Sequence, residues 1–187
     1  MLDRALFTLI NAAHSPWADA AMIFVSRRES WYSAYVVLIV GLVQVYRRRA
    51  WLLVPLVAGT VWAADVISSR GFKPFFQRLR PCHEPALART LRLAEGYGCG
   101  GQFGFMSSHA ANTMALAVFL SLTLPRRFRA FKWALGLWTL VTGYSRVYLG
   151  AHYPGDVLAG WVLGALLGWA GARAFGWLSG RWVGAAA

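Results

Sequence analysis

The chain has 187 residues, of which 58% belong to the apolar set AVILMFWYC and only 14% are charged. Soluble domains carry about 25% charged residues, so this composition excludes disorder and argues against an ordinary soluble domain. The net charge of +12 points to anionic head groups or a phosphorylated substrate, not to nucleic acid, whose readers are rarely so apolar.

The length fits one domain, 1–187, embedded in a membrane. Residues 3–28 read as one or two short amphipathic helices at the membrane interface, hinged near Ser15 and Pro16. The apolar run from Ala5 to Ile10 is stopped by Asn11, His14 and Pro16, which is not a secretory signal pattern. Residues 30–178 supply the spans and the site loops. Five apolar stretches follow in order: 30–46, 50–69, 107–124, 131–149 and 156–178. A span needs about 17–25 residues, so the shorter ones rely on flanking Lys and Arg that reach up to the head groups. Period-2 alternation is missing, which excludes a membrane barrel. The expected fold is therefore an all-α polytopic bundle of about five spanning helices plus N-terminal amphipathic helices.

The last stretch carries Gly160, Gly164, Gly168 and Ala172 at steps of four. Such a face lets a second helix approach closely, and packing inside the bundle is the preferred reading over a dimer seam. One long connection, 81–104, is rich in glycine near its end. Connections of that length are usually functional.

Three polar clusters stand at the ends of the stretches. The first runs from Lys73 to Arg80-Pro81. The second is Met106-Ser107-Ser108-His109. The third is Ser145-Arg146, then His152, then Asp156. An even number of crossings separates each pair, so all three lie on one membrane face. Lys73, Arg80 and Arg146 offer fixed positive donors, and guanidinium grips phosphate with two parallel hydrogen bonds. Ser107 stands where a helix begins, with free backbone N–H groups for an anion. His152 and Asp156 are four apart across Pro154-Gly155. The Asp156 carboxylate can take the Nδ1 proton of His152 and leave Nε2 facing a phosphorus atom. His109 is a second imidazole, available as an acid. A nucleophile, an acid, an orienting carboxylate and three cations suffice for phosphoryl transfer without metal or cofactor.

These clusters resemble the three motifs of the type 2 phosphatidic acid phosphatase (PAP2) superfamily. Its pattern is Lys, six residues, Arg-Pro; then Pro-Ser-Gly-His; then Ser-Arg, five residues, His, three residues, Asp. Lys73, Arg80 and Pro81 match the first motif, and Ser145, Arg146, His152 and Asp156 match the third. The second departs, with Met106 for Pro and Ser108 for Gly, while Ser107 and His109 match. The resemblance implies a helical bundle and metal-independent hydrolysis of a lipid phosphate or diphosphate through a phosphohistidine. By position, His152 is the nucleophile, Asp156 its orienting group and His109 the acid. Lys73, Arg80, Ser107, Ser108 and Arg146 hold the phosphate. Undecaprenyl diphosphate is the first expected substrate and phosphatidylglycerol phosphate the second; lipid A is a third substrate of bacterial membrane members. The rivals are an activity like that of vanadate-dependent haloperoxidases, which share the anion site but are soluble, and a lipid or anion transporter, which needs no His–Asp pair.

Other residues have plainer readings. Arg47–Arg49, Arg126, Arg127, Arg129, Lys132, Arg173 and Arg181 read as anchors at span ends. Tyr144, Tyr148 and Trp161 read as interfacial. Asp65, inside an apolar stretch, is expected to form an ion pair with a basic site residue. Asn112 reads either as site lining or as a helix–helix hydrogen bond. The short basic loops Arg47–Arg49 and Arg126–Lys132 place that end in the cytoplasm by the positive-inside rule. The site then faces the periplasm or exterior of a bacterial inner membrane. Cys82 and Cys99 lie in the long connection on the site face, where they form either a disulfide or two buried thiols.

Overall fold

The computed structural model describes residues 2–180, so Arg181 lies outside the described residues. Two short helices open the chain, α1 (Leu2–Ala12) and α2 (Pro16–Ser26). The hinge falls where expected. Ser15 caps α2 by accepting a hydrogen bond from the Ala18 N–H, and Pro16 takes the first helical position, where no N–H is needed. These helices do not simply lie apart on a lipid surface. Asn11 is buried and its amide donates to the Tyr148 and Arg92 carbonyls at 2.8 and 2.9 Å. Leu9, Trp17 and Phe24 remain exposed on the outer side.

The long helices follow: α3 (Tyr32–Tyr46) and α4 (Ala50–Val66), then a π-helical turn (Ile67–Phe72) leading into the short α5 (Lys73–Phe76). Arg47, with φ at +52°, turns the chain between α3 and α4. The connection to α6 (Ser108–Thr123) is held by an antiparallel bridge between Leu79 and Phe103. Helices α7 (Arg129–Tyr148) and α8 (Pro154–Leu178) complete the bundle. By length and hydropathy, Glu29–Phe76 and Pro154–Leu178 are apolar enough to cross a membrane.

Helix α6 is the centre of the bundle. Ala110, Ala111, Ala115, Phe119 and Leu120 are fully buried along it. Its small residues receive α8, whose glycine stripe packs inside the molecule as expected. A Cβ at Gly160 would run toward the Ser107 carbonyl, at Gly164 into the Ala111 carbonyl, and at Gly168 toward the Ala115 carbonyl. Backbone cannot move aside as a side chain can. Gly164→Val is therefore expected to destabilise the fold by at least the roughly 1–3 kcal/mol typical of overpacking, measured as a lower unfolding midpoint in detergent. An unchanged midpoint would mean that α6 and α8 are not this close.

Two of the aromatic residues expected at the interface are packed inside the bundle. Tyr148 is not an interfacial anchor: it is 4% exposed, and its hydroxyl donates to Asp19 at 2.6 Å. Trp161 packs against Val157 and against Gly143, which leaves room for the indole because it lacks a Cβ. Tyr144, 41% exposed, remains on the outside.

Candidate active site

The three clusters converge at one end of the bundle. Lys73 leaves the π-helical turn, and its Nζ donates to Ser108 Oγ at 3.0 Å. Ser108 Oγ also receives the Ser68 hydroxyl at 2.8 Å. Ser107 caps α6 and accepts from the Ala110 N–H. Its own N–H donates to the Asp156 carbonyl at 3.0 Å, which ties the start of α6 to the start of α8. Ser108 thus holds Lys73 as much as it faces an anion, and Ser107 is buried as a cap.

Arg80 is 8% exposed and stitches two loops together. Its Nε donates to the Phe103 carbonyl at 3.2 Å and its Nη1 to the Ala151 carbonyl at 3.4 Å. The same Nη1 lies 3.3 Å from His152 Nε2. Guanidinium has no acceptor, so Nε2 must be the acceptor and Nδ1 the protonated nitrogen. That is the tautomer the sequence calls for. Gly104 permits the arrangement: a Cβ there would sit 3.1 Å from Arg80 Cγ and 3.2 Å from Asp156 Oδ2.

His152 and Asp156 are 1% and 0% exposed. Nδ1 and Oδ2 are 3.6 Å apart, an approach longer than a hydrogen bond. Asp156 is otherwise fully engaged. Oδ2 accepts from the Tyr153 N–H at 3.0 Å, closing a capping box at the start of α8, and Oδ1 accepts from Arg78 at 2.7 Å. Burial, followed by the charges of Arg146, Arg80 and Lys73, holds His152 well below the usual histidine range, with the Gly104 backbone opposing. The imidazole is therefore neutral at neutral pH, with its lone pair available. Arg80 is likewise pressed down by burial and by Arg146 beside it. Arg146, buried in the last turn of α7, donates to Ser26 Oγ of α2 and lies 5.8 Å from the Tyr97 ring centre. His109 stands in the first turn of α6, within reach of the charges of Arg146 and Lys73.

Asp65 corrects an expectation. Its hydrogen-bond partner is Asn112, whose amide donates at 3.0 Å across α4 and α6; its charge favours the protonated Lys73 through space and not as a contact ion pair. Asn112 takes the second of its two readings.

Sequence reasoning missed three contributors. Arg78 bridges Asp156 and Asp3, the latter at 2.6 Å, and Asp3 also accepts the Gly155 N–H at 2.8 Å. Burial lowers the Arg78 guanidinium's proton affinity, but Asp3 and Asp156 outweigh it and hold the group above its ordinary value. Arg28, in the connection between α2 and α3, adds a positive charge on the side of Lys73. The Lys73-to-Arg80 segment does show Arg78 two residues before Arg80, but nothing local marks its partners, which lie 75 and 78 positions away. Cys82 and Cys99 meet in the connection beside this site, with Cα atoms 6.4 Å apart.

One end of the bundle thus gathers a neutral imidazole with its lone pair directed at a guanidinium, a buried carboxylate behind it, a second imidazole and several cations. Residues 51–179 match the PAP2 superfamily, and the chain belongs to it; it is a phosphatase of that type, acting on lipid phosphates. Lipid A 4'-phosphatase of Porphyromonas gingivalis is 30% identical over 98% of this chain and 77% of its own length. The crystal structure of Aquifex aeolicus LpxE superposes with a TM-score of 0.71 at 26% identity, covering 91% of this chain and 94% of that one. The transmembrane PAP2-type phosphatidylglycerolphosphate phosphatase of Bacillus subtilis shares the fold, with a TM-score of 0.63 at 23% identity over 91% of this chain and 82% of that one.

Proposed function

We propose that the chain removes a phosphate monoester from a lipid A–type glycolipid through a phosphohistidine at His152. The observation that carries the mechanism is the Arg80–His152 contact at 3.3 Å, which directs Nε2 into a cation-lined site. The P. gingivalis relative, similar along nearly this whole chain, supports lipid A phosphate over undecaprenyl diphosphate.

The Nε2 lone pair attacks phosphorus, and the bond to the lipid oxygen breaks. His109 gives its proton to that leaving oxygen. Lys73, Arg80 and Arg146 bear the charge of the five-coordinate transition state. Water then attacks the phosphohistidine while His109 takes one of its protons. The N–P bond breaks, inorganic phosphate leaves, and both imidazoles return to their starting forms. Asp156, held by Arg78, steadies the imidazolium formed in the first step. In this reading five helices span the bilayer (α3, α4, α6, α7 and α8), while α1 and α2 lie at the interface on the outer side. A cleft of about 760 Å³ runs between α3 and α7, from Trp31 at the site end past Leu42 and Trp138 to Phe131. Acyl chains would lie there.

Phosphate release in detergent, over a panel of lipid A, undecaprenyl diphosphate and phosphatidylglycerol phosphate, tests the substrate. Fastest release from lipid A, unchanged by EDTA and inhibited competitively by vanadate, is expected. Preference for a diphosphate would overturn the substrate, and loss in EDTA restored by magnesium would overturn the metal-free chemistry.

Orientation has its own test. An outward site puts the Cys82–Cys99 pair in an oxidising compartment, where closing the loop between them contributes about 3 kcal/mol in the chain-entropy account. In intact cells, an impermeant thiol reagent is expected to label the chain only after reduction. Labelling without reductant, and only once the membrane is opened, would put the site inside.

A further inference from the structure

The end of the bundle opposite the site holds a second concave feature. A cavity of about 1040 Å³ opens between the α3–α4 turn, the α6–α7 loop and α8. Arg47, Arg48 and Arg49 line it from one side, Arg126, Arg127 and Lys132 from another, and Arg173 from α8. None of its lining residues is acidic. The chain has only 7 Asp and Glu, and they lie elsewhere. Asp3, Asp19, Glu84 and Asp156 pair with Arg78, Arg92 and Arg4 around the site. Glu29 precedes α3, Asp65 falls in the last turn of α4 and Glu95 lies in the long connection.

Cations crowded around a hollow repel one another, and an anion seated among them removes that repulsion. The walls say which anion. Val45 and Leu124 line the same cavity, and so do Leu122 and Trp169, which are 42% and 55% exposed on the helix surfaces beside it. A free phosphate has no use for such a wall, whereas a phospholipid brings a charged head and an apolar tail together. Basic pockets between membrane helices on the cytoplasmic side are a recognised setting for anionic head groups.

We infer that this cavity binds an anionic phospholipid of the leaflet opposite the catalytic site, its phosphate among Arg47, Arg126, Arg127 and Lys132 and its chain along Leu122 and Trp169. The lipid is a bound ligand and not a substrate, because His152 and His109 lie at the other end of the bundle. The inference does not depend on which lipid the catalytic site hydrolyses.

The test uses the full chain, with vanadate present to occupy the catalytic site. Purified protein is equilibrated with equal mole fractions of phosphatidylglycerol and phosphatidylcholine, and retained lipid is counted by native mass spectrometry. Retention of phosphatidylglycerol at least tenfold above phosphatidylcholine is expected. Arg47→Gln, Arg126→Gln and Arg127→Gln each lower that ratio by about fivefold, the equivalent of about 1 kcal/mol per basic residue. Each variant keeps wild-type hydrolysis of a water-soluble aryl phosphate, which also shows that it is folded. A ratio near one for the unaltered chain would overturn the proposal, and so would a ratio indifferent to all three substitutions. Displacement of the retained phosphatidylglycerol by millimolar inorganic phosphate would reassign the cavity to a free anion and overturn it equally.

Discussion

His152→Ala is expected to abolish phosphate release from lipid and aryl substrates alike. Loss of a nucleophile costs on the order of 10⁶-fold where covalent catalysis has been dissected in a serine protease, and no neighbouring group can substitute here. His109 is fixed in the first turn of α6, whereas His152 lies in the α7–α8 loop, and Asp156 is fully engaged by Arg78 and the Tyr153 N–H. The substitution leaves Arg80 its carbonyl partners, Phe103 and Ala151, so the loops around the site should persist. Turnover by initial rates, with the unfolding midpoint alongside, checks the result. Substantial residual activity in a folded variant would remove His152 from the chemistry.

The effect of His109→Ala depends on the substrate. A lipid alkoxide or sugar oxygen is a poor leaving group and needs a proton, whereas an activated aryl oxide does not. General acid catalysis contributes about 10²- to 10⁴-fold, so the lipid substrate should lose that factor in kcat while p-nitrophenyl phosphate loses far less. Equal losses on both would assign His109 to binding, as one more group near Lys73 and Arg146.

Much of this was legible in the sequence because its signals are local. The interval from Lys73 to Arg80, and the i,i+4 relation of His152 to Asp156 across a proline, are short-range features that a helix start turns directly into geometry. The glycine stripe of α8 was equally readable, since steps of four fall on one helix face. The N-terminal helices and their hinge follow from local signals, but their docking does not. Asn11 meets Tyr148 at a separation of 137 positions and Asp3 meets Arg78 at 75. No periodicity encodes such pairs. The sequence suggests a cationic partner for Asp65 because an intramembrane carboxylate usually has one. The contact partner is a neutral amide on the facing helix, Asn112, with Lys73 felt only through space, and only the packing of α4 on α6 could reveal it. Tyr148 shows the same limit: aromatic residues near span ends look alike in sequence, whether they face lipid or a buried carboxylate.

Covalent transfer to one imidazole nitrogen is the central step of the proposed reaction. Rapid quenching of the enzyme with ³²P-labelled substrate, followed by peptide mapping, tests that directly. The predicted result is a single phosphorylated peptide containing His152, with the label stable in alkali and lost in acid. Label on no residue, or a label on Asp156 or any other side chain, would contradict it.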